Sequence, residues 1–321
     1  MEIVHVTRHR LGDTYLMRNH DGTIFEGYVS GDYVQANDTL RADRYGDKGF
    51  IPLEHKAVIK LSVMSGCPFK CRPCDAGLAG YNGNATTQDL IDQFETMLAD
   101  TGLETCQKTK LHVSKLGEPS LNWANTDAAI RSIVADHPEL NPLPTITTLP
   151  RTAQAARELT TSVFNYPTLS QIKINAGSTS ETDRRQLYGA TTPLPEIISI
   201  LQGSWKNRTQ DHRITLTFLA VPDTEFSAEQ IIAMTPEEFR SAVTIEMYKV
   251  NPTINATRFG YPGLMRHYKD SHRYETQMAA LREAGFGTYY SAPSDGEQRA
   301  HVANGSSLHV EQQTAAPSTA I

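Results

Sequence analysis

The sequence of 321 residues contains only four cysteines, no long apolar run and no excess of positive charge. Four cysteines do not make a disulfide framework for a chain of this length, and they favour a reducing, cytoplasmic location. No segment approaches the roughly 20 apolar residues of a transmembrane helix, and the start of the chain lacks the apolar core of a signal peptide. With a net charge of −6, the chain lacks the basic surface typical of proteins that hold a large RNA. These absences predict a cytoplasmic protein with no membrane partner and no large RNA partner.

Three of the four cysteines, Cys67, Cys71 and Cys74, lie within eight residues, and Cys106 is distant from them. A closed zinc site needs four ligands, usually as two separated pairs. Three thiolates on one short loop instead suit a cubane iron–sulfur cluster in which one iron has no protein thiolate. The alternatives are three unrelated thiols or an incomplete zinc site. We interpret Cys106 as a partly buried thiol without a catalytic role.

The first part of the chain predicts antiparallel structure. Residues 14–29 have the pattern of a hairpin that turns at Asp21-Gly22, and the polar residues 30–56 are typical of a connecting loop. After Ser306 the sequence has no periodicity, which predicts a disordered tail. The expected parts are a hairpin with its loop, a core domain and a tail, over residues 1–56, 57–305 and 306–321.

From Ala57 onwards, apolar segments typical of strands alternate with amphipathic segments typical of helices. Strands are predicted over 58–64, 111–116, 145–149, 172–175, 214–221, 245–250 and 288–290. Helices are predicted after Thr86 or Thr87, after Thr235, and near 127–135, 153–163, 195–201 and 274–284. Six βα repeats of this kind predict an α/β fold in which a parallel sheet forms an open or partial (β/α)6 barrel.

Four polar segments directly follow predicted strands. They are the cysteine loop after the first strand, Gly117-Glu118-Pro119 after the second, Asn175-Ala176-Gly177-Ser178 after the fourth and Asn251-Pro252 after the sixth. Each segment alone has the composition of an ordinary turn. Because the carboxyl ends of parallel barrel strands meet at one mouth, the four segments together predict an active site there.

The spacing Cys67-x3-Cys71-x2-Cys74 resembles the signature of the radical S-adenosylmethionine (SAM) superfamily. The longer segment from Ser65 to Asn84, SGCPFKCRPCDAGLAGYNGN, is similar to one branch especially. That branch is the RlmN-like enzymes, which methylate carbon 2 of an adenine in ribosomal and transfer RNA. The similarity extends over most of the chain, and it implies a partial (β/α)6 radical SAM barrel with a short N-terminal β-hairpin.

The resemblance also implies roles for individual residues. Cys67, Cys71 and Cys74 would hold a [4Fe–4S] cluster, whose fourth iron takes the amino and carboxylate groups of SAM. The residues that match the family's SAM contacts are Gly117, Glu118, Thr147, Asn175, Ala176, Gly177 and Asn251. A reducing partner such as flavodoxin or ferredoxin would supply the electron that cleaves SAM. The product would be a 5′-deoxyadenosyl radical that abstracts hydrogen from a substrate.

Several positions depart from the family pattern. Pro73 stands where an aromatic residue is usual, and Asn175 replaces a serine. Asn304 stands where the methylating branch has its methyl-carrying cysteine, and Lys60 replaces the second cysteine of that branch. Neither an amide nor an ammonium can do the chemistry of those thiols. The hairpin is also preceded by only about a dozen residues, where the methylases carry an RNA-binding domain, so we expect a small-molecule substrate instead of a large RNA.

Three residues are candidates for contact with that substrate. Glu26 matches an acidic residue that the family assigns as a proton acceptor, and it is either a general base or a hydrogen-bonded hairpin carboxylate. Lys60 and Lys115 are candidate ligands for an anionic group, although lysines at a barrel rim can also simply extend to solvent.

The expected function is hydrogen abstraction from a small, anionic or nucleoside-like substrate. Rearrangement, elimination, epimerisation or oxidation would follow in a biosynthetic pathway. The alternatives are a divergent RlmN-like methyltransferase that acts on RNA or nucleotides, and an iron–sulfur protein without turnover.

Overall fold

The structure, a computed structural model, describes residues 1–8, 12–33, 50–221, 224–248, 250, 253–261 and 272–291. Several sequence predictions lie outside these residues. They concern the SAM contact at Asn251, the substituted cysteine position at Asn304, the tail after Ser306 and most of the loop over 30–56.

Thirteen strands run through the described part of the chain. Before the cysteine loop they are β1 (Glu2–Thr7), β2 (Asp13–Arg18), β3 (Ile24–Tyr33), β4 (Phe50–Ile51), β5 (Ala57–Leu61) and β6 (Met64–Gly66). After the loop they are β7 (Tyr81–Asn84), β8 (Thr109–Val113), β9 (Pro142–Thr148), β10 (Gln171–Gly177), β11 (Arg213–Leu219), β12 (Val243–Tyr248) and β13 (Gly287–Ser291).

The main sheet has the strand order β1-β2-β3-β5-β8-β9-β10-β11-β12-β13, and β4 pairs with β3. The strands from β5 to β13 along this path are parallel to one another, and those from β1 to β5 are antiparallel. This mixed α/β fold with a largely parallel sheet confirms the predicted fold class. Within the described residues the path ends at β1 and β13 without closing, so the barrel is open.

The helices lie between the parallel strands. They are α1 (Thr87–Thr101), α2 (Trp123–Asp136), α3 (Ala153–Phe164), α4 (Glu181–Tyr188), α5 (Leu194–Trp205), α6 (Ala228–Met234), α7 (Glu237–Arg240), α8 (Ile254–Arg258) and α9 (His272–Glu283). Of the two candidate caps, Thr86 is the one that begins α1, because its hydroxyl accepts the amide of Asp89 while the Asp89 carboxylate accepts the amide of Thr86. None of the helices in these described segments is long and apolar enough to cross a membrane.

The hairpin predicted over 14–29 is confirmed by the register of β2 against β3, in which Asp13 faces Val29 and Arg18 faces Ile24. The hairpin is continuous with the main sheet, because β3 also pairs with β5. Neither β1 nor the small two-stranded sheet of β6 and β7 is among the elements predicted from the sequence. That second sheet brackets the cysteine loop.

The two faces of the main sheet differ in chemistry. Apolar side chains such as Leu111, Ile172 and Ile245 pack into one buried core cluster with residues of the helices. The alternate residues of the same strands point to the opposite face. We call this opposite surface the polar face, and it carries Lys60, Lys110, His112, Thr147, Lys173, Thr217 and Glu246.

Candidate active site at the cysteine loop

The cysteine loop starts where β6 ends and returns through β7. The amide of Cys67 donates to the carbonyl of Gly80 at 2.8 Å, which closes the base of the loop. Gly66 has a φ of 72°, and a Cβ on this residue would lie 1.8 Å from the Gly80 oxygen. Only glycine therefore permits this close approach of the two chain segments.

Burial makes the three loop thiols hard to ionise. It raises the pKa of Cys67 to about 11 and that of Cys71 to about 12, and it raises the pKa of Cys74 as well. Cys67 also raises the pKa of Cys71, and Cys67 and Cys71 both raise the pKa of Cys74, because neighbouring thiolates repel one another. A cationic metal group removes both penalties, since thiolates are stabilised by a bound metal.

Across the segments that the structure describes, no three His, Cys, Asp or Glu side chains form a preassembled metal site. The donor set still suits a cluster, because three soft sulfur ligands on one half-buried loop match the preference of iron–sulfur centres. The assignment of Cys67, Cys71 and Cys74 as cluster ligands stays a prediction.

Asp75 ties the cysteine loop to the chain that follows β12. Its side chain is fully buried and accepts the amides of Ile254 at 2.9 Å and Asn255 at 2.8 Å, at the start of α8. The Asn255 side chain donates to the carbonyl of Cys74 at 2.8 Å. Asp75 is not among the predicted site residues, although it directly follows the third cysteine.

We expect the substitution Asp75→Asn to destabilise the fold by about 1.5–3 kcal/mol, because it replaces a charged acceptor of two amides by a neutral amide group. Urea unfolding of the protein measures this change. The matched control is Asp211→Asn, whose side chain is 94% exposed and whose loss should change stability by less than about 0.5 kcal/mol. Equal urea midpoints for the two variants would contradict the tethering role.

Gly117 and Glu118, predicted as SAM contacts, lie beside the cysteine loop. Gly117 has a φ of 89°, and a Cβ there would be 2.6 Å from Cγ of Met64. The Glu118 carboxylate accepts the amides of Ser120 at 3.0 Å and Leu149 at 2.8 Å, and also the hydroxyl of Thr148. Burial raises the pKa of Glu118, and these donors act in the opposite direction. Glu118 thus joins the segment after β8 to the end of β9.

The predicted contacts on β9 and β10 are also close to the strand ends. The Thr147 hydroxyl is 2.7 Å from Nε2 of His112. Asn175 is half-buried, and the register of β10 against β11 shifts between Asn175 and Gly177. Their SAM contacts stay predictions.

A buried arginine that is not among the predicted site residues holds the end of β10. Arg184 is fully buried, and its guanidinium donates to the carbonyls of Ala176 at 2.8 Å and Thr192 at 2.9 Å. Gly177 packs against Tyr188, since a Cβ at Gly177 would lie 2.5 Å from its ring. Both large side chains lie on α4, a short helix that the polar sequence over 181–188 did not reveal.

Glu26 and Lys115, two of the candidate catalytic residues, form an ion pair with each other. Nζ of Lys115 is 3.3 Å from Oε2 of Glu26, and both side chains are 0% exposed. This geometry favours the interpretation of Glu26 as a structural hairpin carboxylate. It also means that the Lys115 ammonium contacts a carboxylate of the protein itself. The two residues are far apart in the chain, so the sequence gives no sign that they pair.

Lys60 lies apart from that pair, on the polar face. Its ammonium is 4.9 Å from the centre of the Tyr28 ring, a distance typical of a cation–π contact. On its other side, His112 of β8 is its register partner. Lys60 is half-buried. Its side chain is therefore part of the polar face and does not simply extend to solvent.

Lys110 is a further cation on the polar face that sequence analysis missed. Burial, followed by the charges of Lys173 and Lys56, lowers the pKa of Lys110 to about 7. Lys108 lowers this pKa further, and Glu246 raises it. Burial and three nearby lysines similarly lower the pKa of His112 well below its ordinary value, so its ring is neutral near pH 7.

The low pKa of Lys110 predicts a pH-dependent stability. Between about pH 7 and about pH 10 the unfolded chain binds more protons at this residue than the folded chain, so the free energy of unfolding rises with pH. Because Lys110→Gln removes this contribution, the stability of the parent relative to the variant should increase over that range, by at most about 1.4 kcal/mol per pH unit. Urea unfolding at pH 7, 8 and 9 measures the difference, and parallel profiles would contradict the expectation.

Comparison with solved structures identifies the fold. A radical SAM methyltransferase from Sphaerobacter thermophilus superposes on this chain with a TM-score of 0.69. The superposition covers 94% of this chain and 80% of that protein, at 17% sequence identity. The chain therefore has the fold of a radical SAM enzyme.

Sequence relatives agree with this fold at low identity. A Thermus thermophilus protein named probable dual-specificity RNA methyltransferase RlmN is 33% identical over 93 residues, which are 29% of this chain and 26% of the relative. A Nostoc punctiforme protein of the same name is 30% identical over 122 residues, 38% of this chain and 29% of the relative. The chain thus spans less than a third of the length of these curated relatives.

No protein-family model matches the sequence. The superposed structure and the sequence relatives nevertheless support the radical SAM superfamily and the resemblance to its RlmN branch. These similar proteins carry enzyme names.

Proposed function

We propose that this protein is a radical SAM enzyme that abstracts hydrogen from a small, anionic or nucleoside-like substrate. The observation that carries the proposal is the position of three cysteines on one short loop, next to the carboxyl end of the first parallel strand. Active sites of parallel barrels form at this end. A rearrangement, elimination, epimerisation or oxidation of the substrate would complete the reaction.

Cys67, Cys71 and Cys74 would hold the [4Fe–4S] cluster, and the half-buried loop would limit the access of water to it. When bound, the cluster supplies the electron that splits SAM into methionine and a 5′-deoxyadenosyl radical. The chain's own task is to orient SAM and the substrate and to keep other hydrogen donors away. Glu118, Thr147 and Asn175 are among the residues proposed to contact SAM.

Lys60 supports a reaction other than the thiol-dependent methylation of the RlmN branch. It occupies the position of the second cysteine of that branch, beside Tyr28 and on the polar face. An ammonium group there cannot resolve a thioether-linked adduct, but it can attract an anion. A divergent methyltransferase is the second candidate, because the similar proteins are named as methyltransferases.

The experiment is anaerobic reconstitution with iron and sulfide, followed by reduction with dithionite in the presence of SAM. The proposal expects about four irons per chain and release of 5′-deoxyadenosine and methionine. An iron–sulfur protein without turnover would bind iron and release neither product. Incubation with methyl-labelled SAM and total RNA distinguishes the second candidate, because label in adenine would favour a methyltransferase.

A further inference from the structure

Arg151 follows the carboxyl end of β9 and lies over the cysteine loop. Its guanidinium carbon is 3.6 Å from the centre of the Phe69 ring, and Phe69 stands between Cys67 and Cys71. A distance this short is well within the range of a cation–π contact. A charged side chain from another part of the sheet therefore covers the loop between its first two cysteines.

The same guanidinium also contacts the segment after α4. Nη1 of Arg151 donates to the carbonyl of Ala190, and the loop amide of Arg72 donates to the carbonyl of Leu187 at 2.9 Å. A Cβ on Gly189 would be 3.4 Å from Nη1 of Arg151, so the two segments approach each other closely. Arg151 thus joins the end of β9, the cysteine loop and the end of α4 through one side chain.

The positive charge of Arg151 acts on the loop thiols. Burial raises the pKa of Cys67 and of Cys71, and Arg151 opposes this increase at both residues. The Glu118 carboxylate raises both pKa values, but its hydrogen bonds go to other donors, as described above. Arg151 is therefore placed to act on the loop electrostatically without being hydrogen-bonded to that carboxylate.

We propose that Arg151 is a positioning residue for the iron–sulfur cluster: it holds the cysteine loop in place, and its positive charge favours the reduced form of the cluster. Reduction adds one electron from a low-potential donor such as dithionite, and no bond is made or broken. The added electron makes the cluster more negative by one unit, so a nearby cation raises the reduction potential. The second role rests on the proposed function, whereas the first concerns the loop alone.

Two measurements test the two roles separately. Hydrogen exchange of the full-length chain before reconstitution, read by mass spectrometry on a peptide covering 67–74, reports whether the loop is held in place. Redox titration of the anaerobically reconstituted protein with dithionite, followed by electron paramagnetic resonance, measures the reduction potential of the cluster. The variants are Arg151→Gln, which removes the charge, and Arg151→Lys, which keeps the charge but loses the planar guanidinium.

Arg208 provides a matched control in a different place. Its guanidinium carbon is 3.8 Å from the centre of the Trp205 ring. As in Arg151, its Nε is buried and has no hydrogen-bond partner among the described residues. Arg208 precedes β11, at the amino ends of the parallel strands, which is the edge opposite to the cysteine loop. Arg208→Gln should therefore leave both the loop exchange and the reduction potential unchanged.

We expect Arg151→Gln to speed the exchange of the loop amides about fivefold or more, because it removes a cation–π contact and a hydrogen bond. It should also lower the ratio of reduced to oxidised cluster at a fixed potential about tenfold, which is a decrease of about 59 mV for one electron. Loss of a unit charge about 10 Å away at an effective dielectric constant of about 20 has an effect of this size. Arg151→Lys should speed the exchange but keep the potential of the parent.

Unchanged exchange in Arg151→Gln would overturn the holding role, and an unchanged potential would overturn the charge role. Equal changes in Arg208→Gln would overturn both, because the effects would then not be specific to the loop. If Arg151→Gln takes up no iron, retention of iron by Arg151→Lys supports the charge role, and loss of iron in both variants overturns it.

Neither measurement requires SAM, so the inference and the proposed function can fail separately. If the parent binds about four irons and the potential falls in Arg151→Gln, but SAM is not cleaved, the proposed function fails and the role of Arg151 stands. If SAM is cleaved and neither readout changes in Arg151→Gln, only this inference fails. If the parent takes up no iron, the proposed function and the charge role fail together, and the loop exchange still decides the holding role.

Discussion

Replacement of Cys71 by alanine is expected to abolish iron binding and SAM cleavage together. The substitution removes one of the three protein thiolates of the cubane cluster. Burial raises the pKa values of the two remaining thiols, Cys67 and Cys74, so they do not ionise readily on their own. After anaerobic reconstitution, iron content should fall from about four per chain to background, and 5′-deoxyadenosine should fall to the level without enzyme. Iron analysis and chromatography of the reaction products measure the two outcomes.

Cys106 provides the matched control, because it is the one cysteine outside the loop. It is 5% exposed, and its thiol donates to the carbonyl of Leu53 at 3.0 Å. Cys106→Ala should cost some stability and retain the full iron content and SAM cleavage. Iron content in Cys71→Ala equal to that of the parent would contradict the assignment of the loop as the cluster site.

The second large effect is expected from the buried pair of Lys115 and Glu26. Lys115→Met should lower the free energy of unfolding by about 3–5 kcal/mol, because it leaves the Glu26 carboxylate buried without its cationic partner. Urea unfolding at pH 7 measures the loss. Glu26→Gln should also destabilise the protein, since it removes the negative charge beside the buried ammonium of Lys115.

The double variant Glu26→Gln/Lys115→Met tests whether the two charges act as a pair. It should regain much of the stability that either single substitution loses, because no unpaired charge remains. Additive losses would show that the two side chains act independently. They would also restore the hypothesis that Lys115 serves a substrate anion.

The periodicity of the sequence predicted the order of strands and helices well. The hairpin of β2 and β3 and the parallel strands from β5 onwards depend on local alternation, which is visible in any one segment. By contrast, β1 and the β6–β7 pair form through pairing with another strand, and the sequence of a single segment does not show that pairing. Short polar helices such as α4 and α8 also lack a clear apolar stripe.

The sequence motifs predicted the position of the candidate site better than the pairing of its charged side chains. The cysteine spacing and Gly117-Glu118 indicated the strand ends that surround the loop. The pairing of Lys115 with Glu26, and the position of Lys110 beside Lys173, arise from contacts between strands distant in the chain. A sequence shows which residues are charged, but the fold decides whether each charge has a partner of opposite sign.

The bonds of Asp75 have a consequence for the order in which the site is assembled. One carboxylate fixes both the third cysteine of the loop and the first amides of α8, so these two segments settle as one unit. Iron insertion, which would fix the loop, would then also fix the start of α8. Through Asp75, loading of the proposed cluster would therefore come before the final ordering of this helix start.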